Sequence, residues 1–195
     1  MSLRPLAPSG ALATVVIAAL ALSACGSSGG YRPVSDTPVR VGSPYKVRGV
    51  TYTPAPQPGY DMLGYASWYG SESGNWVANG EKFRPGWITG AHTTLPLPSY
   101  VEVTALDTGR RILVRVNDRG PFSGSARIID LSRGASELLG MRAKGKAAVR
   151  VRVADPSQAD RAQLRKGKAA KELTPLPAQA LASLRGRFVQ GVGPL

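Results

Sequence analysis

Short runs of alternating apolar and polar residues, separated by turn-forming residues, dominate the middle of this chain. Residues 100–106 alternate, Asp107-Thr108-Gly109 is a turn signal, and residues 110–116 alternate back, which predicts a β-hairpin. Further strands are indicated at 64–70, 126–131 and 147–153. Many short strands within about 100 residues bury their apolar faces by curling into a small closed or nearly closed barrel. We therefore expect an all-β core.

One short helix and two long loops interrupt these strands. Ser132 is suited to cap a helix through residues 136–139, and Gly140 is suited to end it. The loops span roughly residues 70–86 and 117–125 and are rich in turn residues. Because long loops on a rigid scaffold usually carry function, we expect the site there.

The first residues have the pattern of a bacterial lipoprotein signal. The mostly apolar stretch at 11–22 is shorter than the roughly 20 residues that cross a membrane, but it suits a signal-peptide core. Leu22-Ser23-Ala24-Cys25 then matches the lipobox, which is cleaved before a cysteine that becomes lipidated. We expect a signal peptide at 1–24 and a lipid anchor on Cys25. An ordinary signal peptide with an incidental cysteine is the alternative.

The rest of the chain divides by composition. Residues 25–42 are rich in Gly, Ser and Pro and are expected to be a flexible tether. Residues 43–59 suggest a small hairpin and a proline-rich connector, and residues 60–154 contain the barrel. Residues 155–195 are polar and basic without a sustained pattern, so we expect a mostly disordered tail.

The chain is strongly basic, with 25 Lys and Arg against 12 Asp and Glu, a formal charge of +13. Export argues against nucleic acid as the partner. Anionic envelope polymers would be attracted to such a surface, although a solvated basic surface without a partner fits as well. Since Gly26 replaces the aspartate that often retains lipoproteins in the inner membrane, we expect the periplasmic face of the outer membrane.

Three stretches hold candidate reactive side chains. Glu81 follows an Asn79-Gly80 turn, His92 is the only histidine, and Asp118 stands beside Arg119 where a strand ends. Each also has a structural interpretation: a solvated turn residue, a hydrogen-bonded core histidine and a local ion pair. One His and one Cys cannot build a zinc site, and no Gly-x-Ser-x-Gly elbow surrounds a serine. Carboxylate chemistry remains, with Glu81 and Asp118 as candidate acid and base.

Five ordered motifs give these residues a context. Together they closely resemble the rare lipoprotein A (RlpA) family, septal lytic transglycosylases of the bacterial envelope. The resemblance covers about residues 43–154 and rests on Gly64-Tyr65-Ala66-Ser67-Trp68-Tyr69-Gly70, Ala78-Asn79-Gly80-Glu81, residues 91–100 (AHTTLPLPSY), residues 115–122 (RVNDRGPF) and Arg127-Ile128-Ile129-Asp130-Leu131-Ser132.

The resemblance implies a six-stranded double-psi β-barrel and a reaction that needs no cofactor. The substrate would be peptidoglycan glycan strands, associated in the family with strands stripped of stem peptides. The β-1,4 bond between N-acetylmuramic acid and N-acetylglucosamine would be cleaved. Asp118 matches the catalytic aspartate of the family, and Glu81 and His92 match residues important for activity.

The resemblance also suggests roles for neighbouring side chains. Trp68, Tyr69 and Tyr100 would offer faces to sugar rings, although aromatic residues in a small barrel are also core residues. The polar residues Asn79, Asn117 and Arg119 would complete the substrate site.

A lytic reaction needs Asp118 protonated, so its pKa must be raised. An ion pair with Arg119 would lower that pKa, and we therefore predict that the guanidinium points elsewhere. Glu81 could raise the pKa of Asp118 by repulsion or stabilise a cationic transition state, and His92 could hydrogen-bond a carboxylate.

Two other functions remain open on the sequence alone. An expansin-like module would bind the same glycan without cleaving it, and a hydrolase would need a second carboxylate to hold water. Residues 75–77, Asn-Trp-Val, depart from the family pattern ahead of Glu81, so Trp76 is expected to alter a subsite.

Overall fold

The computed structural model describes Met1, residues 30–124 and residues 126–195. The predicted signal peptide and Cys25 lie outside the described residues. None of the described helices is long and apolar enough to cross a membrane.

Nine strands and three helices make up the described chain. The strands are β1 Tyr45–Val47, β2 Val50–Tyr52, β3 Asp61–Tyr69, β4 Thr89–Ala91, β5 Ser99–Ala105, β6 Arg111–Asp118, β7 Arg127–Ser132, β8 Lys146–Val153 and β9 Gly193–Pro194. The helices are α1 Arg133–Leu139, α2 Gln158–Arg165 and α3 Ala178–Gln190. Two single 3₁₀ turns lie at Ser71–Ser73 and Arg142–Lys144.

Six of these strands close into a barrel, in the order β7-β4-β6-β5-β8-β3, with β3 returning to pair with β7. The β3–β7 and β4–β6 pairs are parallel, and the other four pairs are antiparallel. This closed six-stranded barrel of mixed direction confirms the predicted double-psi fold. Closure leaves no free edge among the six strands.

Alternation along the strands builds the core. Val101 and Val103 of β5, Val114 and Val116 of β6, and Val149 and Val151 of β8 are all buried. Their neighbours in sequence point the other way because successive side chains of a strand alternate between its faces. Small β-branched residues therefore fill the barrel interior, and the long polar side chains lie outside it.

The predicted helix closes one side of the barrel as α1. The Ser132 side chain accepts a hydrogen bond from the Ala135 amide, and Gly140 ends the helix in the left-handed region with a φ of 79°. Both residues play the capping roles that their types favour. Gly134 must be glycine here because an added Cβ would lie 2.3 Å from the Gly86 carbonyl oxygen.

The segment before the barrel is docked rather than flexible from Tyr31 onward, which differs from the tether predicted for 25–42. The Arg32 amide donates to the Gly80 carbonyl at 2.7 Å, and Arg40 and Leu97 exchange two backbone hydrogen bonds of 2.8 Å. Backbone pairing of this kind does not depend on side-chain type, so a composition rich in Gly, Ser and Pro gave no sign of it. Beyond this segment, β1 and β2 pair as a small antiparallel hairpin.

The disordered tail predicted for residues 155–195 is also corrected by the structure. Leu164 of α2 is fully buried in the main core, and Leu181 and Leu184 of α3 pack with Leu63 and Leu106 in a second cluster. Strand β9 then pairs with the start of β3. A few leucines among many charges are too sparse to form a visible pattern, yet each covers an apolar patch that the barrel leaves open.

Candidate active site

Asp118 is the last residue of β6 and lies where the barrel meets the 117–125 loop. Its Oδ1 accepts hydrogen bonds of 2.8 Å from the amides of Ala78 and Arg119. Within the described residues Oδ2 receives no hydrogen bond. The first oxygen therefore fixes the carboxyl group in place, while the second can carry a proton toward a ligand.

The pKa of Asp118 is raised above its ordinary value. Burial is the main cause, and the negative charge of Asp130 adds to it, while the two amide hydrogen bonds and the charge of Arg119 oppose it. Burial disfavours the charged form of a carboxyl group more than these contacts favour it. Asp118 thus has the property that a general acid requires.

Asp130 is a second carboxylate in the same row of the sheet. Ala91 of β4 is the register partner of Asp118 on one side and of Asp130 on the other. Neighbouring strands are about 4.8 Å apart, so the two aspartate backbones are separated by about 10 Å and their side chains project to the same face. Gly120 also approaches this carboxylate, since an added Cβ would lie 3.7 Å from Asp130 Oδ2.

Ser67 and Arg127 hold Asp130 from β3 and β7. The Ser67 hydroxyl donates to Asp130 Oδ1 at 2.5 Å, and Arg127 Nη1 lies 3.4 Å from the same oxygen. Burial nevertheless raises the pKa of Asp130, against the lowering effects of Ser67 and Arg127. Asp118 and Asp130, on either side of Ala91 in the sheet, therefore both have raised pKa values.

Glu81 lies under the site in a buried ion pair. Its carboxylate accepts from Arg115 Nη1 at 2.7 Å and Nη2 at 2.8 Å, and from Asn117 Nδ2 at 3.0 Å. Burial acts to raise the pKa of Glu81, but the hydrogen bonds and charge of Arg115 outweigh it, so the pKa is lowered. Glu81 is therefore a permanent carboxylate that positions neighbours, and Asp130 is the carboxylate whose charge raises the pKa of Asp118.

Asp36, from the docked N-terminal segment, extends this ion pair. It accepts from Arg115 Nε at 3.2 Å, from the Tyr100 hydroxyl at 2.7 Å and from Arg165 Nη1 of α2. One carboxylate thus joins the N-terminal segment, strands β5 and β6 of the barrel, and helix α2. Nothing in the sequence pattern marks this residue.

His92 follows β4 and is buried. Its Nδ1 accepts from the amides of Thr94 and Leu95 at 3.1 Å each, and its ring lies edge-on to Tyr60 with centroids 4.8 Å apart. Its own amide donates to the Asp118 carbonyl at 3.0 Å. Burial, with the nearby charge of Arg119, lowers the pKa of His92 to about 3. The neutral ring shapes the 92–95 turn against the strand end that holds Asp118.

Arg119 turns its guanidinium away from Asp118. Nη1 donates to the carbonyls of His92 and Leu95, and Nη2 donates to that of Val41 at 2.9 Å. These hydrogen bonds connect the N-terminal segment and the 92–95 turn to the 117–125 loop. Among the described residues the Asp118 carboxyl group therefore has no side-chain counterion, in the arrangement that the sequence predicted.

The three aromatic residues expected to face sugars occupy different environments. Tyr69 is half-buried, with its hydroxyl oxygen fully buried, and its ring stacks on Phe83 with centroids 4.9 Å apart. Burial of the hydroxyl group together with the charges of Asp118 and Asp130 raises its pKa. Tyr100 is buried against Asp36. Trp68 is half-buried, and its indole N–H donates to the Arg142 carbonyl at 3.1 Å. Tyr69 is the one of the three that lies beside both aspartates.

Several buried polar atoms around the carboxylates have spare hydrogen-bonding capacity. In the part of the chain that the structure describes, Tyr69 Oη, Asn79 Nδ2 and Asn117 Oδ1 have no partner. Asn79 uses its other side-chain atom to accept from the Glu81 amide at 3.1 Å. These atoms lie below the surface of the site.

The residues described contain no group of three or more His, Cys, Asp or Glu side chains that could hold a metal ion. The structure brings Asp118, Glu81, His92, Asn79, Asn117 and Arg119 together around the 75–83 loop and the end of β6. Sequence reasoning assigned no role to Asp130, although it lies in one of the quoted motifs, or to Asp36. Only the register across β4 places Asp130 beside Asp118.

A double-psi barrel with a half-buried acid at a strand end is the class of protein that this geometry defines. Residues 61–151 match the family model described as lytic transglycolase. This barrel is similar to that of RlpA proteins.

Similar proteins carry that name. The chain is 52% identical over 118 residues to the endolytic peptidoglycan transglycosylase RlpA of Pseudomonas aeruginosa, with 60% of this chain and 34% of the relative covered. RlpA of Neisseria meningitidis serogroup A is 46% identical, with 58% and 48% covered, and RlpA of Rickettsia bellii is 43% identical, with 57% and 51% covered. The chain thus spans about a third to a half of the length of these curated relatives.

Solved structures give weaker similarities. A Streptomyces papain inhibitor superposes with a TM-score of 0.43 at 23% identity, covering 52% of this chain and all of that one. An expansin of Clavibacter michiganensis superposes with a TM-score of 0.39 at 20% identity, covering 50% and 52%.

Proposed function

We propose that this protein is an endolytic peptidoglycan transglycosylase. It cleaves the β-1,4 bond between N-acetylmuramic acid and N-acetylglucosamine in peptide-free glycan strands. The observation that carries this proposal is the Asp118 carboxyl group, fixed through Oδ1, with a raised pKa and with Oδ2 unbonded among the described residues. The names of the relatives support the same reaction.

In the first step, protonated Asp118 donates its proton to the glycosidic oxygen as the bond to C1 of N-acetylmuramic acid breaks. The resulting carboxylate then removes the proton from the C6 hydroxyl of the same sugar, and that oxygen attacks C1. The ring closes as a 1,6-anhydro sugar and Asp118 regains its proton. One carboxyl group suffices because the nucleophile belongs to the substrate, so no separate base is needed to activate water.

The neighbours of Asp118 are suited to this cycle. Asp130 and burial favour the protonated state at the start, and the two amide hydrogen bonds stabilise the carboxylate once the proton has left. Glu81 stays charged and holds Arg115 and Asn117, while neutral His92 shapes the turn beside the strand end. Glu81 and His92 are therefore proposed as positioning residues.

The test is digestion of peptide-free and peptide-bearing glycan strands by the protein and by Asp118→Asn, with products resolved by mass spectrometry. We expect anhydro ends from the wild type and none from the variant. Asparagine keeps an Oδ1 that can accept both amide hydrogen bonds, so unchanged unfolding of the variant controls for misfolding. Anhydro ends from Asp118→Asn would exclude Asp118 as the acid. Reducing ends from the wild type would indicate a hydrolase, and binding without products would indicate an expansin-like module.

We also propose that the protein acts at the periplasmic face of the outer membrane, anchored by lipid on Cys25. The lipobox Leu22-Ser23-Ala24-Cys25 supports this location, and the charge of +13 supports attraction to anionic envelope polymers. Metabolic labelling with palmitate tests the anchor. We expect label on the wild type and none on Cys25→Ser, and an unlabelled wild type would refute lipidation.

A further inference from the structure

An exposed aromatic surface lies on the loop that contacts Asp118. Trp76 is 49% exposed and Tyr31 is 38% exposed, and their rings face each other at 4.0 Å between centroids with a tilt of 33°. Large aromatic side chains bury much apolar area when covered, so leaving two of them exposed side by side costs stability that a ligand can restore. Tyr31 lies outside the matched domain, in the docked N-terminal segment.

The loop geometry places this surface close to the reacting group. Trp76 is two residues before Ala78, whose amide donates to Asp118 Oδ1. Two residues of chain span at most about 7 Å. The loop is held firmly by hydrogen bonds from the Val77 amide to the Glu81 carbonyl at 3.1 Å and from the Phe83 amide to the Asn75 carbonyl at 2.9 Å. A sugar stacked on Trp76 would therefore lie one or two ring lengths from the scissile bond.

A cation completes the surface. Lys82 is the antiparallel bridge partner of Trp76, so the two side chains project from the same face of the loop. Its ammonium group lies 5.3 Å from the centre of the Tyr31 ring. Within the described ranges Lys82 forms no ion pair, so its charge is available to an anionic ligand.

We propose that Tyr31, Trp76 and Lys82 form a glycan subsite, here called the Trp76 subsite, for a sugar ring that carries a carboxylate. The apolar C–H face of the ring would stack on Trp76 and Tyr31, and Lys82 would pair with the carboxylate. In a peptide-free strand that carboxylate is the lactyl group of N-acetylmuramic acid, which a stem peptide would convert to an amide. The inference rests on the proposed glycan substrate and identifies which chemical feature of it is recognised.

Binding is measured with the full-length protein in detergent in the Asp118→Asn background, so that substrate is not consumed. The probes are peptide-free glycan strands with the lactyl carboxylate free and the same strands with it converted to a methylamide. Trp76→Ala should weaken binding to both probes about tenfold, as expected for loss of an aromatic contact. Trp76→Phe should retain most of the affinity.

Lys82→Gln should weaken binding to the free-carboxylate strands by up to about fivefold, the range of an exposed ion pair, and leave the methylamide strands unaffected. Lys144→Gln is the matched control. Lys144 pairs with Asp107 in the turn before β6, at the opposite end of that strand from Asp118, and should change neither affinity.

Unchanged binding by Trp76→Ala would overturn the subsite, and an equal loss by Lys82→Gln on both probes would overturn carboxylate recognition. Failure of the proposed function looks different: wild-type protein would bind the strands and release no anhydro ends, while the Trp76 and Lys82 effects on binding persisted.

Discussion

Arg115 and Glu81 form a bidentate ion pair inside the protein, with Nη1–Oε2 and Nη2–Oε1 distances of 2.7 and 2.8 Å. Arg115 comes from β6, three residues before Asp118, and Glu81 comes from the loop whose Ala78 amide binds Asp118. The pair therefore joins the strand that carries the acid to the loop that orients it.

Replacing Glu81 by Ala should cost about 3–5 kcal/mol of unfolding free energy, because it leaves the Arg115 charge buried without this partner. The double variant Glu81→Leu/Arg115→Met should recover much of that loss, since it removes both charges. Urea unfolding measures both values. A loss below about 1 kcal/mol for Glu81→Ala would mean that the pair contributes no more than an exposed one.

The Glu81–Arg115 ion pair should also make the protein less stable at acid pH. The pKa of Glu81 is lower in the folded protein than its ordinary value of 4.5, so its stabilising contribution is present above that pH and is lost as the pH falls through the folded pKa. The double variant should show a flatter dependence of unfolding free energy on pH below about 4.5 than the wild type.

Much of the fold and part of the site could be predicted from sequence because both depend on local pattern. Residue patterns predicted β3, β5, β6, β7 and β8 but not the three-residue β4, and Ser132 and Gly140 predicted the ends of α1. Contacts between distant segments could not be read in this way. Asp36 looks like any tether residue until it meets Arg115 and Arg165, and Leu164 looks isolated until α2 covers the barrel.

Asp36 should stabilise the docked N-terminal segment. Replacing it by Ala removes hydrogen bonds from Arg115, Tyr100 and Arg165, at a cost of about 1–3 kcal/mol. Hydrogen exchange should then accelerate at the Arg32 and Arg40 amides, which donate to the barrel loops. Asp155→Ala is the control, because the Asp155 side chain is 92% exposed in its pair with Arg161. Unchanged protection at Arg32 and Arg40 in Asp36→Ala would show that backbone pairing alone docks the segment.

His92 should stay neutral throughout the physiological range. Its pKa of about 3 in the folded protein lies below the ordinary 6.5, so the unfolded chain binds a proton between these values and the folded protein does not. Stability should therefore fall as the pH drops from 6.5 toward 3. Because the chain has one histidine, nitrogen-15 NMR observes this ring alone and should detect no titration from pH 8 to 5.

A substitution separates this positioning role from acid–base chemistry. Asparagine has an oxygen near the place of Nδ1, so His92→Asn should keep more activity than His92→Leu, which cannot accept from the Thr94 and Leu95 amides. Equal loss in the two variants, or an imidazole that titrates near pH 6.5, would contradict the assignment.

Asp130 should extend to higher pH the range in which Asp118 works, as a contribution smaller than that of burial. The negative charge of Asp130 helps to raise the pKa of Asp118, so Asp130→Asn should lower that pKa. Since the reaction begins with protonated Asp118, kcat/KM falls as the pH rises through its pKa, and the alkaline limb should move to lower pH in the variant. At a pH above the pKa of Asp118, the protonated fraction and with it the rate should be lower in the variant than in the wild type.

The pH profile of kcat/KM distinguishes this role from a structural one. A structural defect would lower the rate at every pH without moving the limb, and Asp130→Asn keeps an acceptor for the Ser67 hydroxyl and so preserves the local packing. Ser67→Ala provides a weaker change of the same kind. It removes a hydrogen bond that lowers the pKa of Asp130, so Asp130 becomes protonated more readily and exerts less charge on Asp118. A shifted limb in Asp130→Asn, with a smaller shift in the same direction in Ser67→Ala, is the expected pattern. A limb that stays in place in both variants would mean that Asp130 makes no contribution and that burial alone raises the pKa of Asp118.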